Sequence, residues 1–339
     1  MSATQPCQMT SSAIGGWLGS ILPGLGLTFG IAVLATMVQK FSGIAALSPL
    51  VVAMVLGIAL RNLVGTPAAA RPGIGFTLRR VLRFAIVLLG FQLTLAQLRA
   101  VGVPGLAVLA VTLAATFVFT KWAGRMLGVE RRLAELIAAG TSVCGASAVI
   151  ATNTVTRGSD EDVAYAIACV TVFGSLSMLA MPVLGEMLAM APAHYGIWVG
   201  ATVHEVAQVV GAGFQHSAEA GQAATVAKLS RVMLLAPLIL VLGMLARRGG
   251  DAAHGSAPTP WFVLGFIAVV VLNSALPLPE PMQRDVVSLT AFLLTMALAA
   301  MGLETDIRKL RAKGTRPLAL GALAWLFISG LGLGLVGLI

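Results

Sequence analysis

The sequence predicts an all-α polytopic membrane protein of about ten to eleven transmembrane helices. Of its 339 residues, 58% are hydrophobic and only 10% are charged, and the mean hydropathy is +0.94. A soluble domain carries about 25% charged residues. This composition excludes a soluble globular protein. It also excludes intrinsic disorder, which requires low hydrophobicity.

Eleven apolar segments follow one another along the chain, and a membrane-crossing helix needs about 20 such residues. The connections between them are short, so residues 1–339 are predicted to form a single integral membrane domain. Because Met1–Ser20 contains no Lys or Arg, it lacks the basic start of a signal peptide, and the first segment is predicted to be retained. The segments are 21–39, 44–61, 81–97, 103–121, 133–155, 162–184, 195–213, 230–246, 260–277, 286–302 and 316–337.

Lys and Arg are unevenly distributed between the two sides of this predicted topology. If the N-terminus is cytoplasmic and all eleven segments cross, sixteen of the 22 basic residues fall in cytoplasmic loops. Basic residues favour the cytoplasmic side, so the N-terminus is predicted inside and the C-terminus outside. The net charge of +9 then reflects loop charges and not nucleic-acid binding. The basic residues assigned to outer loops are Lys40, Arg99, Arg157, Lys228, Arg231 and Arg284.

An internal repeat relates residues 85–111 to residues 297–323 at a constant offset of 212. Under the predicted topology the third segment runs outward and the tenth runs inward, so the copies have inverted orientations. Inverted repeats are typical of secondary transporters. Chance matching is the alternative, because Leu, Ala and Gly are abundant. The central matches are Leu98, Arg99, Ala100 and Gly102 with Leu310, Arg311, Ala312 and Gly314.

The segment 140–155, GTSVCGASAVIATNTV, is unusually rich in glycine and hydroxyl groups for a membrane-embedded stretch. A helix break there is tolerated only inside protein or beside water, and it would expose N–H groups that favour an anion. Close helix packing through small residues is the alternative. The three cysteines (Cys7, Cys144 and Cys169) suggest neither a disulfide framework nor a metal site. The candidate substrate-binding residues are Thr141, Ser142, Cys144, Gly145, Ser147 and Asn153.

The segment 200–213, GATVHEVAQVVGAG, places ionisable groups within an apolar stretch. Such groups are energetically costly in a membrane and usually mark a transport pathway. Burial disfavours an ionised carboxylate, which makes Glu205 a candidate proton carrier, and His204 titrates near physiological pH. Gln208 shares a helix face with His204 and is a candidate substrate ligand. A structural hydrogen-bonded pair is the alternative.

The two polar segments also resemble each other weakly. If both cross the membrane completely, they run in the same direction with one helix between them. An inverted pair would require a re-entrant segment or a different helix count, and the sequence leaves this open. The aligned residues are Gly140, Val143, Val149 and Ile150 with Gly200, Val203, Val209 and Val210.

Three smaller polar groups have more ordinary interpretations. Glu304 and Asp306 end the tenth segment, either as an interfacial helix end or as a gate. Asn273 and Ser274 are interpreted as packing groups of the ninth segment. The acidic cluster 160–162 is predicted to cap the N-terminus of the sixth segment.

Four motifs resemble the YeiH family of bacterial inner-membrane proteins: GTSVCGASAVIA (140–151), VHEVAQVVGAG (203–213), MGLETDIRKLR (301–311) and ALAWLFISG (322–330). The resemblance implies a multi-pass inner-membrane protein with crossed, broken helices, and sulfate or sulfonate export as its function. It places the site on Ser142, Cys144, Gly145, Ser147, His204, Glu205 and Gln208.

The leading functional hypothesis is a secondary transporter that exports a small sulfate-like or sulfonate-like anion, coupled to H⁺ or Na⁺. The chain has no Walker A motif, so ATP is not its direct energy source. One alternative is a cation/proton antiporter that uses Glu205. Others are an intramembrane hydrolase, with Ser142, Cys144 or Ser147 as nucleophile and His204 as base, and a purely structural subunit. No enzyme activity, cofactor, metal or nucleic acid is expected. The expected partners are the anion, the coupling ion and lipid, and homo-oligomerisation is left open.

Overall fold

A computed structural model describes residues 11–42, 48–96, 102–248, 261–308 and 313–339. In these ranges the regular structure is helical, with no β-strand. A π-helical turn (Thr77–Val81) joins α3 to α4. The helices are α1 (Ser11–Ser42), α2 (Pro49–Leu63), α3 (Arg71–Phe76), α4 (Leu82–Leu89), α5 (Gly102–Met126), α6 (Arg131–Ser142), α7 (Ala146–Thr156), α8 (Asp160–Met187), α9 (Pro192–Thr202), α10 (Val206–His216), α11 (Ala218–Met233), α12 (Leu235–Arg248), α13 (Trp261–Ala275), α14 (Glu280–Glu304) and α15 (Thr315–Val336).

Six stretches of the described chain are long and apolar enough to cross a membrane, judged by length and composition. They lie in α1, α5, α8, the α11–α12 run, α14 and α15, and α2 and α13 are shorter apolar helices. The prediction of an all-α polytopic membrane protein is therefore confirmed.

α8 begins with a capping box in which the Ser159 hydroxyl accepts a hydrogen bond from the Asp162 N–H at 3.2 Å. The Asp162 carboxylate accepts one from the Ser159 N–H at 3.1 Å. These bonds satisfy N–H groups that the first helical turn leaves free. The predicted capping by the acidic cluster is confirmed.

α6 and α7 form a hairpin and not a single crossing helix. A Cβ added at Gly140 in α6 would lie 2.8 Å from Cγ2 of Val149 in α7. In a continuous helix these residues would be separated by about 13 Å along the axis. At the open end, a Cβ added at Gly158 would lie 3.0 Å from Cδ1 of Leu136. The chain therefore turns back at Val143–Gly145.

α9 and α10 form a second hairpin with its turn at Val203–Glu205. The Tyr195 hydroxyl of α9 donates to the Ala212 carbonyl of α10 at 3.1 Å. The Tyr195 ring stacks on the His216 ring with centroids 4.3 Å apart. Seventeen residues of continuous helix would separate Tyr195 from Ala212 by about 25 Å.

The two hairpins enter the molecule from opposite faces because α8 lies between them. α8 has 28 residues and is about 42 Å long. α7 ends just before α8 begins, and α9 begins just after α8 ends. We call the face at residues 157–160 the first face and the face at residues 188–191 the second face.

The hairpins explain three differences from the predicted topology. Segments 133–155 and 195–213 are re-entrant, so the question of their direction is resolved in favour of an inverted pair. Arg157 follows α7 on the first face and not in a loop on the opposite side. The eighth apolar stretch begins at residue 218 and not at 230, because the chain turns sharply at Ser217 into α11. Lys228 and Arg231 therefore lie inside α11, fully buried, and their assignment to an outer loop was wrong.

The helices pack in two groups that meet where α10 contacts α14. One group contains α1–α4, α13 and α14, and the other contains α5–α12 and α15. In the first group α2 and α14 approach closely at two glycines: a Cβ added at Gly57 would lie 3.0 Å from Gly302 Cα.

Asn273 Nδ2 donates to the Leu93 carbonyl at 3.0 Å, and the Ser274 hydroxyl accepts from the Leu95 N–H at 2.8 Å. The packing role predicted for these two side chains is confirmed.

The segments of the proposed repeat occupy related positions. Gly102 and Gly314, which match at the repeat offset, both have positive φ, +57° and +82°. Each stands at the start of a long helix, α5 or α15. These helices run antiparallel, with the Phe119 and Phe327 rings stacked at 4.0 Å and Gly124 beside Leu320. This is the arrangement that an inverted repeat requires. The matched residues 98–100 and 310–312 lie outside the described residues.

Candidate functional site

The two hairpin tips meet inside the second helix group. Tip one is the turn Val143–Gly145, and tip two is the turn Val203–Glu205. The Glu205 carboxylate Oε1 accepts a hydrogen bond at 2.9 Å from the Ala146 N–H, at the start of α7. The half-buried carboxylate of tip two therefore caps the helix that leaves tip one.

Lys228 of α11 joins the two tips. Its Nζ donates to the Val143 carbonyl at 2.8 Å and to the Val203 carbonyl at 2.7 Å. Val143 and Val203 are a pair matched in the sequence comparison of the two polar segments. The side chain is fully buried, so these bonds replace the hydration of the ammonium group.

Arg231 lies one turn further along α11 and binds the ends of the same two helices. Its guanidinium donates to the carbonyls of Ser142 at 2.8 Å and Thr141 at 2.9 Å, the last residues of α6. It also donates to the Ala201 carbonyl near the end of α9. Arg231 is fully buried as well.

Helix dipoles explain why two cations are held there. α6 and α9 end at the tips, and each C-terminus carries a partial charge of about −0.5. α7 and α10 begin at the tips, and their N-termini carry about +0.5 each. Lys228 and Arg231 bind the C-terminal carbonyls, while Glu205 lies at the N-termini.

The cations outnumber the carboxylates at this junction. No Asp or Glu among the described residues lies within 4.0 Å of the Lys228 or Arg231 cation. Glu205 is the carboxylate whose charge acts on Lys228. An unpaired buried cation is costly, so the junction favours the entry of a negatively charged group.

Gly145 is required for the close approach of the tips. Its φ is +67°, which favours glycine. A Cβ added there would lie 2.7 Å from the Glu205 carboxyl carbon. Glycine at this position therefore leaves the space that the Glu205 carboxyl occupies.

His204 and Gln208 differ in their surroundings. The His204 ring is 1% exposed, and its Nδ1 has no hydrogen-bond partner. Both polar atoms of the Gln208 amide are hydrogen-bonded. Its Oε1 accepts from the Glu205 N–H at 3.1 Å, and its Nε2 donates to the Thr171 carbonyl at 3.0 Å. Gln208 thus anchors tip two to α8.

The candidate ligands of the first polar segment are divided between the tip and the helix behind it. Thr141 and Ser142 are buried and bind Arg231 through their carbonyls, while the Ser142 hydroxyl donates to the Ala138 carbonyl at 2.6 Å. Cys144 is buried within tip one. The Ser147 hydroxyl is exposed at the second residue of α7 and makes no hydrogen bond. Asn153 lies about 10 Å further along α7 and binds the Gly158 N–H at 2.7 Å.

Glu304 and Asp306 lie away from this junction. Glu304 is exposed at the end of α14. Asp306 forms an ion pair with Arg61 at 2.9 Å and joins the ends of α2 and α14. The structure does not bring either residue to the hairpin tips.

Sequence reasoning missed the two cations of the site. A signal was present, since Lys228 and Arg231 are three residues apart on one helix face and follow a run of small residues, AEAGQAATVA. The sequence interpretation assigned them to a loop because the hairpin before them was taken as a complete crossing.

The fold and site define a class: a polytopic all-α membrane protein with two opposed re-entrant hairpins and a charged junction at their tips. The chain belongs to the family described as conserved hypothetical protein 698, whose profile matches residues 23–321. The resemblance to YeiH expected from the motifs is therefore confirmed.

Several curated relatives cover most of the chain. A UPF0324 membrane protein of Bordetella bronchiseptica is 41% identical over 84% of this chain and 92% of its own length. A UPF0324 membrane protein of Pseudomonas aeruginosa is 40% identical over 91% and 92%. The inner membrane protein YeiH of Escherichia coli is 36% identical over 92% and 93%. No solved structure matches the chain. The protein is a multi-pass inner-membrane protein.

Proposed function

We propose that this protein is a secondary transporter that exports a small oxyanion of the sulfate or sulfonate type, coupled to H⁺ or Na⁺. The observation that carries the proposal is the excess of buried positive charge at the hairpin tips. Lys228 and Arg231 are fully buried, and the partial charges of the two helix N-termini and the two helix C-termini at the tips cancel. One half-buried carboxylate, Glu205, opposes the two cations.

The architecture supports transport because the site lies at the meeting point of two oppositely inserted hairpins. Irregular backbone is tolerated at membrane depth where it is enclosed by protein or lines a cavity. In transporters with inverted repeats, such broken helices form the substrate and ion sites, and the two repeats give alternating access. The family resemblance points to the same class of substrate.

The charge balance disfavours the cation/proton antiporter. A transported cation would enter a junction where two buried cations, Lys228 and Arg231, already outnumber one carboxylate, Glu205. Like charges repel more strongly in a buried site than in water.

An intramembrane hydrolase is also disfavoured. His204 makes no hydrogen bond to Ser142, Cys144 or Ser147, and the Ser142 hydroxyl is bound to Ala138. A nucleophile needs its base within hydrogen-bond reach. An esterase assay with Ser147→Ala as control separates the two classes, since a transporter gives no turnover in either protein.

Uptake into proteoliposomes tests the proposal. A pH gradient should drive saturable uptake of at least one of sulfate, sulfite, thiosulfate, taurine and sulfoacetate, with chloride as the comparison anion. Glu205→Gln should remove the acceleration by the pH gradient, because the proton carrier is lost. Glu280→Gln, a change at an exposed carboxylate, should behave as the wild type.

Two outcomes would contradict the proposal. Proton flux evoked by Na⁺ or K⁺, with no uptake of any anion, would support the cation antiporter. An absence of any flux would leave anion transport without support.

A further inference from the structure

We propose that the Glu205 carboxylate occupies the anion position itself, and that a transported oxyanion binds only in its place, once Glu205 is protonated. This inference rests on the proposed function and specifies how proton and anion are coupled. Glu205 is then a tethered competitor of the substrate, and the anion's oxygens take over the contacts of its carboxylate.

The position of the carboxylate supports this assignment. Glu205 precedes the first residue of α10, and its side chain reaches the first residue of α7, so one carboxylate serves two helices of 11 residues each. Helix N-termini bind sulfate, phosphate and carboxylate groups through the same N–H donors. A sulfate or sulfonate oxygen would accept the same hydrogen bond from Ala146.

The two tips and the Lys228 ammonium between them carry polar groups with hydrogen-bonding capacity to spare. The Ser147 hydroxyl is exposed next to Ala146 and makes no hydrogen bond. The His204 ring is buried beside Glu205 with Nδ1 unpartnered. Lys228 uses two of its three N–H groups. A group with three or four oxygens would satisfy more of these donors than a carboxylate.

The charges make the two occupants mutually exclusive. The titratable groups in electrostatic contact with Glu205 are Lys228 of α11 and Cys144 of tip one. Arg231 of α11 and His204 of tip two lie at the same junction, close to Lys228. Protonation of Glu205 alone would leave the two buried cations with only the partial negative charges of the helix C-termini opposite them, which is costly. Entry of an anion restores the balance. Each anion that binds is therefore accompanied by one proton, which is transferred to the Glu205 carboxylate.

Close packing also prevents the Glu205 carboxylate and an oxyanion from occupying this position together. Gly145 provides the space for the Glu205 carboxyl, since a Cβ there would lie 2.7 Å from the carboxyl carbon. The space is thus filled by the carboxyl group, and an oxyanion at Ala146 requires the side chain to move aside.

Calorimetric titration of the purified full chain with sulfate alone, and separately with methanesulfonate alone, tests the inference. For wild type, Kd should rise up to tenfold per pH unit above the pH at which Glu205 ionises. Titrations in two buffers of different ionisation enthalpy should show about one proton taken up per anion. Glu205→Gln should bind the same anion with a Kd that does not change with pH and without proton uptake.

The controls keep the outcomes distinct. Glu280→Gln should retain the wild-type pH dependence. Anion binding that keeps its pH dependence in Glu205→Gln would overturn the inference and leave the proposed function intact. Binding without proton uptake in wild type would do the same, and this measurement needs no variant. Absence of binding for both anions in the wild type would contradict the proposed function and this inference together.

Discussion

Lys228 shows how a single buried side chain can hold two polypeptide turns together. The C-terminal carbonyls at the tips have no helical N–H partner, and Val143 and Val203 are fully buried, so their carbonyls need a side-chain donor. The Lys228 ammonium binds one carbonyl from each tip. Arg231, one turn further along α11, likewise binds carbonyls from both hairpins, those of Ser142 and Ala201.

Removal of the Lys228 charge should destabilise the protein and abolish anion uptake. Lys228→Met leaves the carbonyls of Val143 and Val203 without donors, at about 1–3 kcal/mol for each buried acceptor. We expect a lower Tm in detergent and no uptake in proteoliposomes. Lys228→Arg should recover part of the stability, because it retains charge and donors.

Arg284→Met is the matched control, since Arg284 is exposed and pairs with exposed Glu280. It should change stability by less than about 1 kcal/mol. Wild-type uptake by a folded Lys228→Met protein would remove Lys228 from the substrate site and leave it a structural role.

The two hairpins are the elements that distinguish this fold from a simple bundle of crossing helices. Each consists of two short helices joined by a three-residue turn, and each is too short to cross the membrane twice. α8 fixes their opposite insertion because it separates their open ends. The tips meet only because both hairpins stop within the molecule.

Cysteine labelling from one side of the membrane should distinguish hairpins from crossing helices. We expect Arg132→Cys and Asp160→Cys, at the open end of the first hairpin, to react with an impermeant maleimide from the same side. His194→Cys and Glu219→Cys should react from the opposite side. All four positions are exposed.

Of the three native cysteines, Cys144 and Cys169 are buried, and Cys7, which lies outside the described residues, is replaced by Ser throughout the series. The Cys7→Ser protein treated in the same way measures the background labelling. Labelling of positions 132 and 160 from opposite sides would mean that residues 131–156 cross the membrane, and the hairpin would be wrong.

In the molecule as a whole, the first face carries a group of basic residues. Arg61 and Lys313 lie there, each paired with an acidic side chain distant in sequence. Arg131 and Arg132 begin α6 on the same face, and Arg316 follows in α15. By the positive-inside rule we propose that the first face is cytoplasmic.

This orientation makes a prediction about the C-terminus. α15 begins on the first face and crosses to the second, so alkaline phosphatase fused after Ile339 should be active in the periplasm. The same enzyme fused after Gly128, on the first face, should be inactive. The reverse pattern would place the first face outside.

Sequence alone predicts the fold class, the family motifs, the capping of α8 and the polar segments that become the hairpin tips. These features depend on composition and local spacing, which a single chain displays directly. The weak alignment of Val143 with Val203 already paired the two carbonyls that share Lys228.

Packing in three dimensions reveals that the polar segments turn back and that Lys228 and Arg231 lie between them. An apolar stretch of about 23 residues fits one crossing helix or two short helices equally well. What separates these cases is contact between distant residues, such as Glu205 with Ala146 and Arg231 with Ser142. A buried cation is stable only where such partners surround it, and hydropathy along the chain does not reveal them.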